Sequence, residues 1–473
     1  MCGIVGVQGH VEAARLAIRA LRAVRNRGDD TRGAVVWNGI RTYPYIEGEG
    51  RLPLDHPEVV RKLEGFCCIA HGRYQTSGGN GNEDAQPTYA DRPGRRLWIV
   101  ENGDTPSLAE LQEGVPYRRS STEAEAILKH IVGTNEGSLP VRAIERFLET
   151  YDGACSAIIM DGKRLFAFRD RFGFRPLWVG EGIGEDAKVF YAVASESWAL
   201  EKIGVHTMRE IGPGEIVELS DRGALTVAGK PAVRLAQCGF ELHYFAGVSS
   251  TIFGVSVEEF RFYLGERIGS MLALQGYATE MVVPVPDSSI PLAEGVAEGL
   301  GVPVVFGIRR MHTGRTFITS VGRRKRSAGE KYAVSRMRMR GKHATIVDDS
   351  KVRGLTMREL VAMLKRDGVP SGLSLVFGYP PVIGSCYYGI DLKSFDKLAA
   401  RRYLKQGVHV DTAAMARDLG VNDVFYGTVA MQRAVLKKLG VNPRSFCEGC
   451  ITGRYPTPAG QRMYDDLVAA ERR

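Results

Sequence analysis

The sequence predicts a mixed α/β and α+β chain of two unlike halves: a layered α+β domain over residues 2–228, then an α/β domain over 229–473 with a mainly parallel sheet. Three observations carry this. At 473 residues the chain is too long for one ordinary core, so two domains are expected. The first half holds many short apolar runs with two helices between them, the pattern of paired sheets in layers. The second half alternates strand and helix, which is the signature of βαβ units.

The elements follow in order. Gly3–Val7 reads as a short buried strand, and the helical periodicity of Val11–Asp30 breaks at Arg27-Gly28. RGAVVWNG and GFCCIAHGRYQTSG supply strands, the second delivering His71, Gly72, Arg73 and Tyr74 to its end. Leu97–Val100 runs into Glu101-Asn102-Gly103-Asp104, and Ser121–His130 is a helix capped within Ser120–Thr122. Tyr151–Met160, Lys163–Phe168, Pro176–Val179 and Phe190–Ser195 add strands before a boundary at Ala228–Lys230. Beyond it come a helix over Gly254–Gln275, a strand over Glu280–Val285, a helix over Ile290–Leu300 and a strand over Val302–Phe306. The strand Ala344–Val347 then ends in Asp348-Asp349, followed by a polar loop and a helix over Thr356–Arg366.

Composition narrows the class. Hydrophobic residues at 44% and charged residues at 25% describe a soluble globular protein. No secretory signal and no apolar stretch long enough to span a bilayer is present, so a cytoplasmic setting is expected. The net charge of +9 is concentrated in arginine clusters, notably Arg309-Arg310, Arg323–Arg326 and Arg336–Lys342. Such clusters suit nucleic acid or a small polyphosphate. No nucleic-acid module accompanies them, which puts the phosphate ligand ahead.

Several residues carry chemistry by type and place. Removal of Met1 would make Cys2 the first residue, so that one residue holds both a nucleophilic thiol and an α-amine able to accept its proton. The amine's reference pKa of about 8 leaves much of it neutral at physiological pH. Arg73 at a strand end can clamp a carboxylate. Asn102 with Gly103 can form an oxyanion hole, although Asn-Gly is also a common hairpin turn. Asp348 and Asp349 at the carboxyl end of a parallel strand can hold ribose hydroxyls or magnesium, with Ser350–Thr356 as a phosphate nest. Among the eight cysteines, Cys447 and Cys450 are spaced to share a metal, and the distant Cys238 and Cys386 can complete four thiolates. Spacing alone leaves iron–sulfur, zinc and redox roles open. Cys67, Cys68 and Cys155 sit in apolar strands and read as inert core.

The first half resembles the class II glutamine amidotransferases, which are N-terminal-nucleophile hydrolases with an αββα layered fold. The resemblance rests on Cys2-Gly3-Ile4-Val5-Gly6, Arg27-Gly28, His71-Gly72-Arg73-Tyr74, Ala85-Gln86-Pro87, Asn102-Gly103, Asp152-Gly153-Ala154, Arg169-Asp170 and Arg175-Pro176-Leu177. It implies that Cys2 attacks the glutamine side-chain amide and releases ammonia, with Asn102 and Gly103 stabilising the oxyanion. It implies further that Arg73 holds the substrate α-carboxylate and that Arg27 and His71 belong to the glutamine site. Ser121 departs from the family pattern, standing where an aspartate usually holds the glutamine α-amine, and Asn26 replaces a histidine.

The second half resembles type I phosphoribosyltransferases, and the whole chain is similar to the glutamine phosphoribosyl pyrophosphate (PRPP) amidotransferases. Pro284–Ser288, Gly314–Ile318, Asp348–Ser350 with Val352-Arg353-Gly354, and Cys386–Asp391 carry this. The resemblance implies a PRPP site of Asp287, Ser288, Asp348, Asp349, Ser350, Arg353, Gly354, Thr356 and Arg315. It implies Mg2+ near Ser289, Asp348 and Asp349, and a [4Fe-4S] cluster on Cys238, Cys386, Cys447 and Cys450. Glutamine and PRPP as substrates, nucleotide feedback inhibitors and a homodimer or homotetramer are implied in the same way. The implied reaction converts PRPP, glutamine and water to 5-phosphoribosylamine, glutamate and pyrophosphate, the first committed step of purine synthesis. Lys351, Leu355, Ser289 and Arg309-Arg310 depart from the family wording, as does Ala246–Ser250. They keep open a relative acting on another phosphorylated sugar, or a non-catalytic regulatory homologue.

Overall fold

The computed structural model describes residues 1–28, 30–48, 51–73, 84–113, 119–133, 140–311, 331–351, 355–392, 394–405 and 409–471, with Leu355 and Thr356 by backbone alone. Thirteen described strands build the first half: β1 (Gly3–Gln8), β2 (Thr31–Trp37), β3 (Thr42–Ile46), β4 (Cys67–Arg73), β5 (Thr88–Arg92), β6 (Arg95–Asp104), β7 (Ala154–Asp161), β8 (Arg164–Arg169), β9 (Trp178–Ile183), β10 (Val189–Ala194), β11 (Val205–Glu210), β12 (Glu215–Ser220) and β13 (Gly223–Gly229). They form two antiparallel sheets, ordered β11-β9-β10-β1-β4-β2-β3 and β13-β12-β8-β7-β6-β5.

The two-residue period of β1 explains how these sheets stack. Val5 and Val7 face the helix Ala13–Ala23, whose Ala17, Ile18 and Leu21 cover one face of the first sheet. Ile4 faces the other way and joins Val35, Ile69, Val100, Ile158 and Val217 between the sheets. Helices Glu123–Gly133 and Pro140–Thr150 cover the far side of the second sheet through Ile127, Ile131 and Phe147. The result is helix, sheet, sheet, helix, as expected. Gly6 lies where the layers pack closely, since a Cβ there would stand 2.9 Å from both Leu165 Cδ1 and Val193 Cγ1. Overpacking of this kind costs about 1–3 kcal/mol.

In the second half the strands Met281–Pro284, His343–Asp348, Gly372–Phe377 and Val424–Tyr426 form a parallel sheet in that order. Both faces are covered, as parallel sheets require. Val283, Ile346 and Leu375 pack with helices Leu355–Met363 and Thr412–Leu419, while Val282, Val347 and Val376 pack with helices Val257–Leu274 and Ile290–Leu300.

Two expectations shift. The helix predicted from Gly254 starts at Val257, because Thr251-Ile252 and Val255-Ser256 pair as a small hairpin and Ser256 then caps the helix by accepting from Glu259 N. The strand predicted over Val302–Phe306 contributes one bridge, between Val304 and Val282. Asn102-Gly103 is no hairpin turn, for β6 continues through Asp104 with Asn102 opposite Ser156.

Each half buries a histidine, and burial pushes both His71 and His243 down to about 3. Folded chains keep them neutral, while unfolded chains protonate them below their ordinary value. Stability should therefore fall as pH drops from about 6.5 towards 3, by up to about 1.4 kcal/mol per pH unit for each histidine. Urea midpoints at about pH 7.5 and about pH 5 check this, and His243→Gln should shrink the difference. An unchanged difference in that variant would contradict the assignment.

Candidate active site

Cys2 lies immediately before β1 and is buried. Its backbone N donates to Asn102 Oδ1 at 3.0 Å, and its carbonyl accepts from Arg27 Nε at 3.2 Å. Two residues further on, the Ile4 N–H is held by Ser195 Oγ at 3.0 Å. Met1 is buried in the apolar cluster that contains Phe174 and Tyr388, so its removal would leave space beside Cys2. Asn102 Nδ2 is buried and has no hydrogen-bond partner among the described residues. One end of the amide thus holds Cys2 while the other presents an unspent donor. Gly103 is required by close approach, because a Cβ would stand 1.8 Å from Ala154 O.

Arg73, buried, ends β4 opposite Thr31, and His71 lies fully buried in the same strand opposite Ile4. Arg27 differs from expectation. Its Nε is spent on Cys2 O, its Nη1 on Glu196 Oε1 at 2.8 Å and its Nη2 on Glu241 Oε1 at 2.6 Å. Each guanidinium nitrogen of Arg27 thus has a partner inside the chain, one of them the Cys2 carbonyl. Ser121 also gains a partner that the sequence did not announce. Its N and Oγ donate to the buried carboxylate of Asp84 at 2.8 to 3.0 Å, so a buried carboxylate lies against the residue that departs from the family pattern.

At the carboxyl edge of the parallel sheet, Asp348 ends its strand and Asp349 follows. Asp349 is clamped by the Ser288 hydroxyl at 2.5 Å and the Ser350 hydroxyl at 3.1 Å. Burial pushes both acids up from the ordinary carboxylate range, and for Asp348 the neighbouring Asp349 adds to it. Asp287 pairs with Arg310 at 2.8 Å, which gives the unusual Arg310 a function in the structure. Ser289 is a correction: its hydroxyl is buried and bonded to the carbonyls of Val285 at 2.5 Å and Val347 at 3.0 Å, so it braces the loop and is not presented to a metal. Arg261, also unannounced, holds the Ser288 carbonyl at 3.0 Å and that of Ala246 at 2.9 Å. Lys351 is buried, and burial followed by nearby Arg358 lowers its ammonium to about 8. Arg315, Arg353 and Gly354 lie outside the described residues, and Thr356 falls in the first turn of the helix Leu355–Met363.

The four distant cysteines come together. Cys238, Cys386, Cys447 and Cys450 line one small cavity with Phe174, Arg175, Tyr379, Tyr388, Ile390 and Tyr455. Short strands Gln237-Cys238 and Phe446-Cys447 pair in parallel with the two cysteines in register. Tyr379 OH lies 3.3 Å from Cys450 Sγ. Burial raises all four thiols, Cys386 to about 11. Cys67, Cys68 and Cys155 are raised by burial too and lie in strands, as inert core thiols do.

Fold and site together define a glutamine amidotransferase layer joined to a phosphoribosyltransferase-like sheet. A glutamine amidotransferase domain model matches residues 71–202. The amidophosphoribosyltransferase of Methanothermobacter thermautotrophicus is 31% identical over 97% of this chain and 94% of its own length. That of Bacillus subtilis is 29% identical over 99% of this chain and 95% of its own. The solved B. subtilis PRPP amidotransferase, complexed with ADP and GMP, superposes with a TM-score of 0.81 at 28% identity, covering 97% of this chain and 98% of that one. A structure described as the allosteric regulatory enzyme of purine biosynthesis gives 0.83 at 28% identity, over 99% of this chain and 98% of the other. The chain belongs to the amidophosphoribosyltransferase family.

Asn102→Ala should lower kcat for glutamine hydrolysis by on the order of 10²–10³ with little change in KM, the usual result of deleting one oxyanion donor. Steady-state kinetics of glutamate release check this, and a wild-type rate would remove Asn102 from the site.

Proposed function

We propose that this chain is a glutamine-dependent amidophosphoribosyltransferase, taking PRPP, glutamine and water to 5-phosphoribosylamine, glutamate and pyrophosphate. The observation that carries the reading is the Asn102 amide, which holds the Cys2 nitrogen with one end and leaves its donor end unspent. With Met1 removed, the Cys2 α-amine accepts the thiol proton, and the thiolate attacks the glutamine side-chain carbonyl carbon. Asn102 Nδ2 and the Gly103 N–H hold the oxyanion, and the ammonium proton returns to the leaving nitrogen as the C–N bond breaks. Water then hydrolyses the thioester to glutamate. Arg73 takes the glutamine α-carboxylate, and Asp84, carried on Ser121, takes the α-amine.

The released ammonia attacks C1 of PRPP in the second half and pyrophosphate leaves. Asp348 and Asp349 hold the ribose hydroxyls, with Asp287, Ser288, Ser350, Arg353, Gly354, Thr356 and Arg315 completing the PRPP site. Mg2+ fits beside Asp348 and Asp349, since a cation would stabilise the charged form of two carboxylates that burial, and for Asp348 also its neighbour, drives towards protonation. When bound it would offset charge on the departing pyrophosphate.

A [4Fe-4S] cluster fits the four-cysteine cavity and would fasten the C-terminal segment to the rest of the molecule. A single zinc needs its sulfurs about 2.3 Å from one point. Among the described residues no three His, Cys, Asp or Glu side chains group for one ion. A four-iron cluster takes one thiolate per iron and suits four separated thiols lining a shared space. The described cysteines are all free, which suits a reducing, cytoplasmic setting, and no described helix is long and apolar enough to cross a membrane. Nucleotide inhibition and a homodimer or homotetramer are proposed from the family likeness.

Anaerobically purified protein given glutamine, PRPP and Mg2+ should release glutamate and pyrophosphate together, pyrophosphate depending on both substrates. Glutamate without PRPP-dependent pyrophosphate would favour a different phosphorylated sugar, the reading that Leu355, Ser289 and Arg309-Arg310 keep open. Asp84→Asn should raise the KM for glutamine by about ten- to a hundredfold, the worth of a charge-assisted hydrogen bond. An unchanged KM would assign the α-amine elsewhere.

A further inference from the structure

Arg175 stands where the two sites meet. Its side chain is fully buried, and it is the one cation among the described residues that line the four-cysteine cavity. Its Nε donates to Tyr388 O at 3.0 Å, two residues beyond Cys386, and its Nη2 donates to the same oxygen. Its Nη1 donates to Glu241 Oε1 at 3.2 Å, three residues beyond Cys238. That same Glu241 oxygen accepts from Arg27 Nη2 at 2.6 Å, and Arg27 Nε holds the Cys2 carbonyl. Two arginines and one shared carboxylate therefore span from the cysteine loops to the residue that carries the nucleophile.

A second contact runs in parallel with the first. Gly389, with φ at +111°, lies against the Asn102-Gly103 strand: a Cβ there would stand 2.9 Å from Arg175 Nη2 and 3.2 Å from Gly103 O. The Arg175 carbonyl accepts from Ser156 Oγ at 3.0 Å, and Ser156 is the β-partner of Asn102. The loop that follows Cys386 thus abuts both the arginine and the strand carrying the oxyanion donors.

We infer that Arg175 is a positioning residue that makes the alignment of Cys2 depend on what fills the four-cysteine cavity. An anionic thiolate cluster in the cavity holds the guanidinium electrostatically, and Arg175 in turn fixes Glu241 and, through it, Arg27. An emptied cavity leaves Arg175 with only its carbonyl and carboxylate contacts, and the hold on Cys2 loosens. The inference rests on the cluster reading of Cys238, Cys386, Cys447 and Cys450.

The test compares wild type, Arg175→Gln and Arg175→Lys, purified anaerobically, by iron content, the cluster's midpoint potential from EPR titration, and kcat and KM for glutamine hydrolysis. Arg175→Gln should keep iron, shift the potential to more negative values because a buried cation is lost, and lower kcat by on the order of tenfold or more, the scale of misplaced reacting groups, with KM nearly unchanged. Arg175→Lys should recover the potential but not kcat, since an ammonium keeps the charge and cannot bridge Tyr388 and Glu241 together. Gly389→Ala should lower kcat in the same way with Arg175 intact, and it decides the matter if Arg175→Gln fails to fold. An iron-loaded Arg175→Gln, or a folded Gly389→Ala, with wild-type kcat would overturn the relay. So would a fall in kcat with no movement of the potential. Wild type without iron would instead overturn the cluster reading, and the relay with it.

Discussion

The structure hinges on four buried charges, Arg27, Arg175, Glu196 and Glu241, each with a side chain at 0% exposure. Charges so deeply buried are costly to desolvate, and they are tolerable here because two cations meet two anions with good geometry. Removing one partner from such a set typically costs about 3–5 kcal/mol, because the other is left uncompensated. Their placement matters as much as their balance. Arg27 holds the Cys2 carbonyl, Glu241 lies just beyond Cys238, and Glu196 accepts from Gly247 N and Ser250 Oγ in the second half. The seam is at once the joint between halves and the frame of the nucleophile.

The two reaction centres are built by different means. Cys2 and Asn102 are positioned by strands of two facing sheets, so their relation is set by register and layer packing. The acids of the second centre stand where a parallel sheet ends, held by hydroxyls of Ser288 and Ser350 and by the Arg261 brace. Strand-borne groups are rigid, whereas loop-borne groups can adapt to a large anionic substrate. The departures from family wording fall mostly in the second kind of setting.

Much of this was legible in the residues. Period-two apolar runs such as Gly3–Val7 encode which face a strand buries, and the strand–acid–loop–helix sequence around Asp348 encodes a parallel edge. What was illegible depends on long-range pairing. Nothing local links Asp84 to Ser121, or Glu241 to Arg27, 214 positions away. Asn26 and Gly247 looked like separate departures, yet the Asn26 side chain and the Gly247 backbone N both donate to Glu196. Local context can also mislead: Asn-Gly usually marks a turn, but β6 absorbs it because Gly103 alone tolerates the approach of Ala154 O.

In the proposed reaction Cys2 supplies ammonia to a separate acceptor site in the same chain. Cys2→Ala, purified anaerobically and given PRPP and Mg2+, tests it most directly by exchanging glutamine for ammonium chloride. Such a division of labour predicts pyrophosphate release with ammonium and none with glutamine. Pyrophosphate release from glutamine by the Cys2→Ala protein would contradict it.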